Sequence, residues 1–269
     1  MAYPAGRTGA TDVPLKAVPY VSTLRRPWPG ARHATDAGTG RDVAVVRMER
    51  AGRALWPAMR DLLNYEIVVR GNSYPLRTPL TEVQFEAYYC SNDVFALTLE
   101  LPAGTDDDAG LPHNKAGEFD FGRRLVGCVH IKPNYPQRCE HVCNGAFLVV
   151  PQFQRSGAGV VLGRRFQALA QELGYQLSMF NLVFTANAGS VALWRRLGFT
   201  PLAVVPGAGM LKAKPGDATD KAEAMSDAVI FIFPVGRVIG PAAPQPKGAV
   251  AQWADSLQQW HLRAPSAAL

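Results

Sequence analysis

The sequence has few cysteines, no long apolar run and no secretory leader pattern. Four cysteines in 269 residues are too few to build a disulfide scaffold, and they are typical of a protein kept in a reducing compartment. No apolar run approaches the ~18–20 residues that a membrane-spanning helix needs, and the N-terminal residues lack the apolar core of a secretory signal. We therefore expect no membrane partner and a cytoplasmic location, with mitochondria as the alternative.

A complete metal-binding pattern is also missing. Cys139, His141 and Cys143 form a C-x-H-x-C cluster with His130 nearby, whereas zinc sites usually add a distant second pair of ligands. Small buried thiols beside a polar loop are the simpler interpretation. The acidic run 106–108 lacks the spacing of a calcium loop, and we expect a solvated loop tip there. The sequence therefore predicts no metal.

Acidic residues are outnumbered, since 28 Lys and Arg against 22 Asp and Glu give a formal charge of +6. Such a surface attracts anions. The basic residues are spread along the chain rather than interleaved with aromatic ones, which argues against nucleic acid as a partner. An anionic small molecule is the better expectation, and 48% hydrophobic residues can bury a sizeable core around its site.

Composition divides the chain into three parts. Residues 1–41 are rich in Arg, Pro and Gly, and we expect a flexible basic extension, with an organelle-targeting segment as the alternative. Residues 42–239 form the expected domain. Residues 240–269 are rich in Pro and Ala, and the spacing of their Trp and Leu residues predicts a short terminal helix.

Hydrophobic periodicity places the elements of the domain. The expected strands are 42–47, 94–101, 125–131, 146–150, 177–184, 199–205 and 228–233. The expected helices are 55–69, 81–89 with Thr81 as N-cap, 158–172 and 187–197. Residues 103–122 and 206–226 are expected to be loops. This order predicts an α/β fold with a mixed central sheet, in which strands 146–150 and 177–184 are neighbours that splay apart around a ligand.

The stretch Phe147–Val160 is the strongest local signal for a ligand. An apolar strand ends there, and a loop with Gly157 and Gly159 opens a helix. Backbone N–H groups of residues 155–160 at the positive end of that helix are suited to phosphate oxygens. The loop lacks the third glycine of a dinucleotide fingerprint and the Gly-Lys-Ser/Thr of a P-loop.

Two motifs then identify a family. Residues 154–159 have the form Q-x-x-G-x-G, and residues 187–199 read N-A-G-S-V-A-L-W-R-R-L-G-F. Together, at this separation, they resemble the coenzyme A signatures of the Gcn5-related N-acetyltransferases (GNAT). Residues 130–147 and 178–187, and more faintly 63–67, resemble the fungal branch of that family that detoxifies proline analogues. The similarity covers roughly residues 55–235.

The resemblance implies a GNAT-like acyl-CoA N-acyltransferase fold with a mostly antiparallel sheet. It implies transfer of acetyl from acetyl-CoA to the ring nitrogen of an imino acid such as L-azetidine-2-carboxylate, cis-4-hydroxyproline or pyrroline-5-carboxylate, a link to oxidative stress, and a homodimer. Two alternatives stay open: the same chemistry on a polyamine or peptide N-terminus, and a non-catalytic acyl-CoA-binding module.

Site residues follow from the same resemblance. The backbone N–H of Phe147 is expected to stabilise the oxyanion, and Asn187 is expected to face the sulfur of the leaving thiolate, although an ordinary helix N-cap is its alternative role. Asn144 and the backbone amides of Asn181 and Leu182 are expected to bind the acceptor carboxylate. Asn144 as a turn residue beside a glycine is the alternative. The expected coenzyme A contacts are Val149, Gln154, Arg155, Ser156, Gly157, Ala158, Gly159, Val160 and Asn187.

The proton acceptor is left open. His130, Glu140, His141 or a relayed water are the candidates for deprotonating the amine. The tyrosine acid found in many relatives is absent, because Leu193 and Trp194 occupy that region. Neutral amides are expected to suit the acceptor, since a fixed positive charge nearby would disfavour an incoming ammonium.

Overall fold

A computed structural model describes residues 20–25, 33–35, 40, 42–101, 104, 110–213 and 222–235. Much of the N-terminal arm and the whole of 240–269, with its expected terminal helix, lie outside these ranges. None of the described helices is both long and apolar enough to cross a bilayer.

A nine-stranded sheet forms the centre of the domain, in the order β1-β3-β4-β7-β8-β9-β11-β10, with β2 paired to β3. Its strands are β1 Tyr20–Leu24, β2 His33–Thr35, β3 Asp42–Arg50, β4 Asp93–Leu99, β7 Leu125–Pro133, β8 Val142–Val149, β9 Leu177–Phe184, β10 Thr200–Lys212 and β11 Glu223–Pro234. The short hairpin β5 Lys115–Ala116 and β6 Phe119–Asp120 stands apart. All pairings are antiparallel except β8 with β9, whose connection runs through a helix. The predicted mixed, mostly antiparallel α/β sheet is confirmed.

Helices cover both faces of this sheet. They are α1 Trp56–Tyr65, α2 Glu82–Tyr89, α3 Ala158–Glu172 and α4 Ala188–Arg196. On one face, Phe147 of β8 meets Phe166 of α3 and Trp194 of α4. On the other, the ring of His130 of β7 lies 4.5 Å from that of Tyr89 of α2. The predicted N-cap of α2 is confirmed as a full capping box between Thr81 and Gln84.

Three local expectations differ from the structure. Residues 206–212 and 223–226, which were expected to lie in a loop, are strand residues of β10 and β11, because Gly207 and Gly209 mark a register shift within β10 rather than its end. The α-helix expected over 55–69 ends at Tyr65, and the next residues, Glu66–Arg70, form a π-helical turn. Strands β1 and β2 bring part of residues 1–41 into the sheet.

The sheet opens beside the glycine loop. Pairing between β8 and β9 is limited to Val142 with Leu177 and Cys143 with Ser178, and the two strands diverge beyond it. An aromatic cluster fills the α3–α4 face below this opening; its members are Phe147, Phe166, Phe180, Trp194 and Phe199. Such a rigid, apolar base holds the strand ends in place while their backbone groups stay unpaired.

Candidate active site

The glycine loop forms a tight turn into α3. Gly157, the N-cap, has φ 98° and Arg155 has φ 60°, so both lie in the left-handed region where glycine is favoured. Ser156 is buried, and its hydroxyl donates to the carbonyl of Phe153 at 2.6 Å. Successive backbone N–H groups in such a turn can converge on one side and form an anion-binding concavity.

Not all the expected amides are available in this loop. The Ser156 N–H donates to Phe153 O (3.3 Å), and the Val160 N–H donates to Gly157 O (3.0 Å). Within the described part of the chain, the N–H groups that keep no intrachain acceptor are those of Arg155, Gly157, Ala158 and Gly159. The set of loop N–H groups that are available to an anion is therefore smaller than the 155–160 range that the sequence suggested.

Gln154 uses its side chain to hold the loop together. Its Oε1 accepts from Arg70 Nη1 at 2.7 Å, and its Nε2 donates to the carbonyl of Val149 at 3.3 Å. The loop is thus tied to the last residue of β8 and to the π-helical turn after α1.

The register of β8 turns the Phe147 amide into the opening. Val150 donates to Val126 O and Asn134 donates to Val142 O, so the hydrogen-bonded pairs of the β7–β8 ladder fall on even-numbered residues. Odd-numbered residues of β8 therefore direct their N–H and C=O towards β9. Since pairing with β9 ends at Cys143, the Phe147 N–H faces the gap.

Asn187 is an N-cap with a second contact. Its Oδ1 accepts from Ser190 N at 3.1 Å, and its Nδ2 donates to Ser73 Oγ at 2.8 Å. The capping role foreseen as the alternative is therefore present. An amide nitrogen carries two N–H donors, so the contact with Ser73 leaves a second donor on Asn187 Nδ2.

An asparagine cluster lies on the α1–α2 face. Asn134 Oδ1 accepts from Asn181 Nδ2 at 2.7 Å and from Asn144 Nδ2 at 3.1 Å, and Asn134 Nδ2 donates to Asn181 Oδ1 at 3.1 Å. The structure thus brings the predicted Asn144 and Asn181 together. Asn134, whose side chain is buried at 3% exposure, was not among the predicted site residues. It comes two residues after Lys132 of β7, and side chains two apart in an extended strand lie on the same face of the sheet, so this spacing could have placed it there.

Backbone groups next to this cluster leave the sheet ladder. Val229 pairs with Val183 and Phe231 with Phe180, so Asn181 and Leu182 together oppose the single residue Ile230. Such a bulge frees main-chain groups from the ladder. The resemblance assigned the amides of Asn181 and Leu182 to the acceptor, and the bulge shows that these two residues lie where the β9–β11 ladder is interrupted.

A cation lies beside the cluster, contrary to the expected set of neutral amides. Lys132 is registered opposite Asn144, and its ammonium lies 5.5 Å from the centroid of the Tyr88 ring. Partial burial lowers its pKa. The acceptor side therefore carries positive charge that the motif comparison did not indicate.

The three predicted proton acceptors lie in different surroundings. His130 is buried, and loss of hydration lowers its pKa to about 3, so it is neutral and a weak base. His141 is exposed, and its carbonyl accepts from the Gln176 and Leu177 amides, which orders the loop. Glu140 closes the short 3₁₀ turn that begins at Gln137.

The side chains of the C-x-H-x-C motif lie in different environments. Cys139 and His141 are exposed, while Cys143 is buried and has its pKa raised to about 12 by loss of hydration. In the described ranges, no three His, Cys, Asp or Glu side chains lie close enough to hold a metal ion.

The sequence matches a known protein family. The profile of the Acetyltransferase (GNAT) family matches residues 84–199. The N-acetyltransferase aca1 of Schizosaccharomyces pombe is 36% identical over 154 residues, covering 57% of this chain and 71% of that protein.

Solved structures share the fold. A GCN5-related N-acetyltransferase from Kribbella flavida superposes with a TM-score of 0.55 at 20% identity, over 70% of this chain and 97% of its own. A phosphinothricin acetyltransferase from Sinorhizobium meliloti, in complex with acetyl-CoA, superposes with a TM-score of 0.54 at 15% identity, over 74% and 94%. With the sequence match to aca1, the chain belongs to the GNAT acetyltransferase family and is an acetyl-CoA-dependent N-acetyltransferase.

Proposed function

We propose that the protein transfers the acetyl group of acetyl-CoA directly to the ring nitrogen of a proline-like imino acid. L-Azetidine-2-carboxylate and cis-4-hydroxyproline each combine a small ring, a secondary amine and a carboxylate. Pyrroline-5-carboxylate has the same ring size and carboxylate as a proline, but it is a cyclic imine without an N–H, so the transfer derived below applies to the two secondary amines. The observation that carries the proposal is the cluster of Asn134, Asn144 and Asn181 beside Lys132, which offers amide donors and a cation to a compact anionic group.

Coenzyme A enters through the gap between β8 and β9. Its pyrophosphate binds the free loop amides of Arg155, Gly157, Ala158 and Gly159 at the start of α3. The pantetheine arm then runs along β8 past Val149, which brings the thioester carbonyl to Phe147. Ser156 shapes the turn, and the valine at 160 closes it.

The acceptor approaches from the α1–α2 face. Its carboxylate is held by Asn144 and by the bulged backbone of Asn181 and Leu182, with the ammonium of Lys132 supplying the opposite charge. The amine nitrogen attacks the thioester carbon, and the Phe147 N–H stabilises the resulting oxyanion. The carbon–sulfur bond then breaks as the free Nδ2 donor of Asn187 stabilises the thiolate, which takes up the proton lost by the amine.

Thiol release tests the proposal. Wild-type protein is mixed with acetyl-CoA and, separately, with L-azetidine-2-carboxylate, cis-4-hydroxyproline, spermidine and a peptide with a free N-terminus, and free coenzyme A is measured together with the mass of the product. We expect turnover and an N-acetyl product with the imino acids. Turnover with spermidine or peptide alone would refute the acceptor class, and none with any amine would favour a binding module.

Location, assembly and domain limits stay predictions alongside this reaction. We propose a cytoplasmic protein that protects against proline analogues and oxidative stress, acting as a homodimer. Its catalytic domain spans 42–239, extended by β1 and β2, between a basic N-terminal arm and a Pro- and Ala-rich tail.

A further inference from the structure

Glu66 is a buried carboxylate that the reaction above does not use. It is 6% exposed and begins the π-helical turn Glu66–Arg70 at the end of α1. Such turns insert an extra residue into a helix and recur at functional sites, because they redirect side chains at a cost in backbone regularity. A carboxylate in this position needs partners that repay its lost hydration.

One set of partners leads to the coenzyme A loop. Arg70 Nε lies 3.5 Å from Glu66 Oε2, and Arg70 Nη1 donates to Gln154 Oε1 at 2.7 Å. Gln154 in turn donates to the carbonyl of Val149. The charge on Glu66 therefore orients the guanidinium that holds the loop against the end of β8.

The other set leads to the leaving group. The Ser73 hydroxyl interacts with the Glu66 carboxyl and lowers its pKa. The same Ser73 Oγ accepts from Asn187 Nδ2 at 2.8 Å. Its single proton has two alternative acceptors, the Glu66 carboxylate and Asn72 Oδ1 at 2.9 Å. Ser73 thus joins Glu66 to the side chain assigned to the thiolate.

We propose that ionised Glu66 is a positioning residue, which holds Asn187 through Ser73 and Gln154 through Arg70 so that the thiolate and the coenzyme A loop are aligned together. The inference rests on the proposed function of those two residues. Glu66 touches neither substrate, and it acts only through its partners.

The positioning effect of Glu66 depends on pH. Burial raises the pKa of Glu66 to about 6 against the opposing effects of Arg70 and Ser73. Tyr74, whose own pKa burial raises, faces it from the following loop as a neutral group. The ammonium of Lys212 donates to Val68 O from β10. Protonation of Glu66 removes the charge that Arg70 faces and adds an O–H donor, so both branches loosen as the pH falls through about 6.

Three substitutions separate the contact through Ser73 from the contact through Arg70. For each variant, kcat and the KM for acetyl-CoA are measured from pH 5 to 9. Ser73→Ala should lower kcat with little change in the KM, and Arg70→Met should raise the KM with little change in kcat. Glu66→Gln should do both, by about 10- to 100-fold in kcat/KM. The wild-type kcat should fall as the pH drops through about 6, and Glu66→Gln should lose this fall. Glu118→Gln, on an exposed turn, is the matched control and should match wild type.

The assay uses whichever amine the wild type acetylates, so failure of the imino-acid proposal leaves this test intact. If Glu66→Gln keeps the fall near pH 6 and stays within twofold of wild type in both parameters, the inference is wrong. If Glu66→Gln does not fold, Ser73→Ala and Arg70→Met decide: the inference is wrong if neither shows its separate effect.

Discussion

Replacing Glu66 by glutamine should stabilise the protein at neutral pH even as it impairs catalysis. The folded protein raises the pKa of this carboxyl from 4.5 to about 6, so folding favours its protonated form. Because the folded pKa is raised, its contribution to stability is fully present below pH 4.5 and is lost as the pH rises through about 6. Glutamine resembles the protonated form at every pH.

The magnitude follows from the pKa values. A tenfold change in proton affinity is worth about 1.4 kcal/mol, so moving from 4.5 to about 6 corresponds to about 2 kcal/mol. The free energy of unfolding of Glu66→Gln minus that of wild type should therefore grow by about 2 kcal/mol between pH 4 and pH 8. Any constant effect of the amide cancels in this comparison, as do all other titrating groups.

Urea unfolding at fixed temperature, followed by far-UV circular dichroism at half-unit steps from pH 4 to 8, measures this difference. Glu118→Gln serves as the control and should run parallel to wild type. A Glu66→Gln difference that stays constant within 0.5 kcal/mol, on the order of the smallest resolvable effect, would show that Glu66 is not desolvated as described. A difference that shrinks with rising pH would show that the carboxylate is stabilised by Arg70 beyond its burial cost.

Other perturbations test the remaining parts of the site. Asn187→Asp keeps the capping oxygen but loses the amide donor, so we expect kcat to fall by about 10²–10³-fold with little change in the melting temperature. Asn187→Ala also loses the cap and should lower the free energy of unfolding by about 1 kcal/mol. Full kcat in the aspartate variant would exclude the thiolate role. Gly157→Ala places a side chain at φ 98°, and this backbone strain should lower the free energy of unfolding by about 1–3 kcal/mol. The KM for acetyl-CoA should rise while the KM for the acceptor stays the same. Equal changes in both KM values would place the effect outside the loop. Lys132→Met should raise the KM of the imino acid by about 10-fold or more and leave that of its carboxamide unchanged, while a common shift for both acceptors would contradict carboxylate binding.

Local signals in the sequence predicted much of the coenzyme A side. Helix α3 and strand β9 have the bounds that periodicity indicated. Helix α3 buries one stripe of apolar residues, whereas β9, which was expected to be fully buried, leaves Leu182 exposed. The N-caps at Thr81 and Asn187 depend on residues three positions apart, and the loop at Gly157 depends on a backbone conformation that glycine permits. Such features are contained in a few consecutive residues, so a sequence can specify them directly.

Hairpin β10–β11 shows where local signals fail. Gly207 and Gly209 are typical turn residues, yet they lie inside β10, opposite a partner strand that keeps pairing on both sides of the irregularity. The hydrogen-bonded ladder with β11 keeps this segment of β10 extended, and no local sequence pattern reveals that pairing.

The acceptor side and its support were decided by tertiary structure alone. Asn134 joins Asn181 across 47 residues, Arg70 joins Gln154 across 84, and Ser73 joins Asn187 across 114. The opening that exposes the Phe147 amide exists because β8 and β9 part after two paired positions. The sequence by itself determined the glycine loop at Gly157 and the helix α3 that follows it, since these are local. Only the folded sheet determined which amides stay unpaired and which buried charge supports them, because both depend on contacts between segments far apart in the chain.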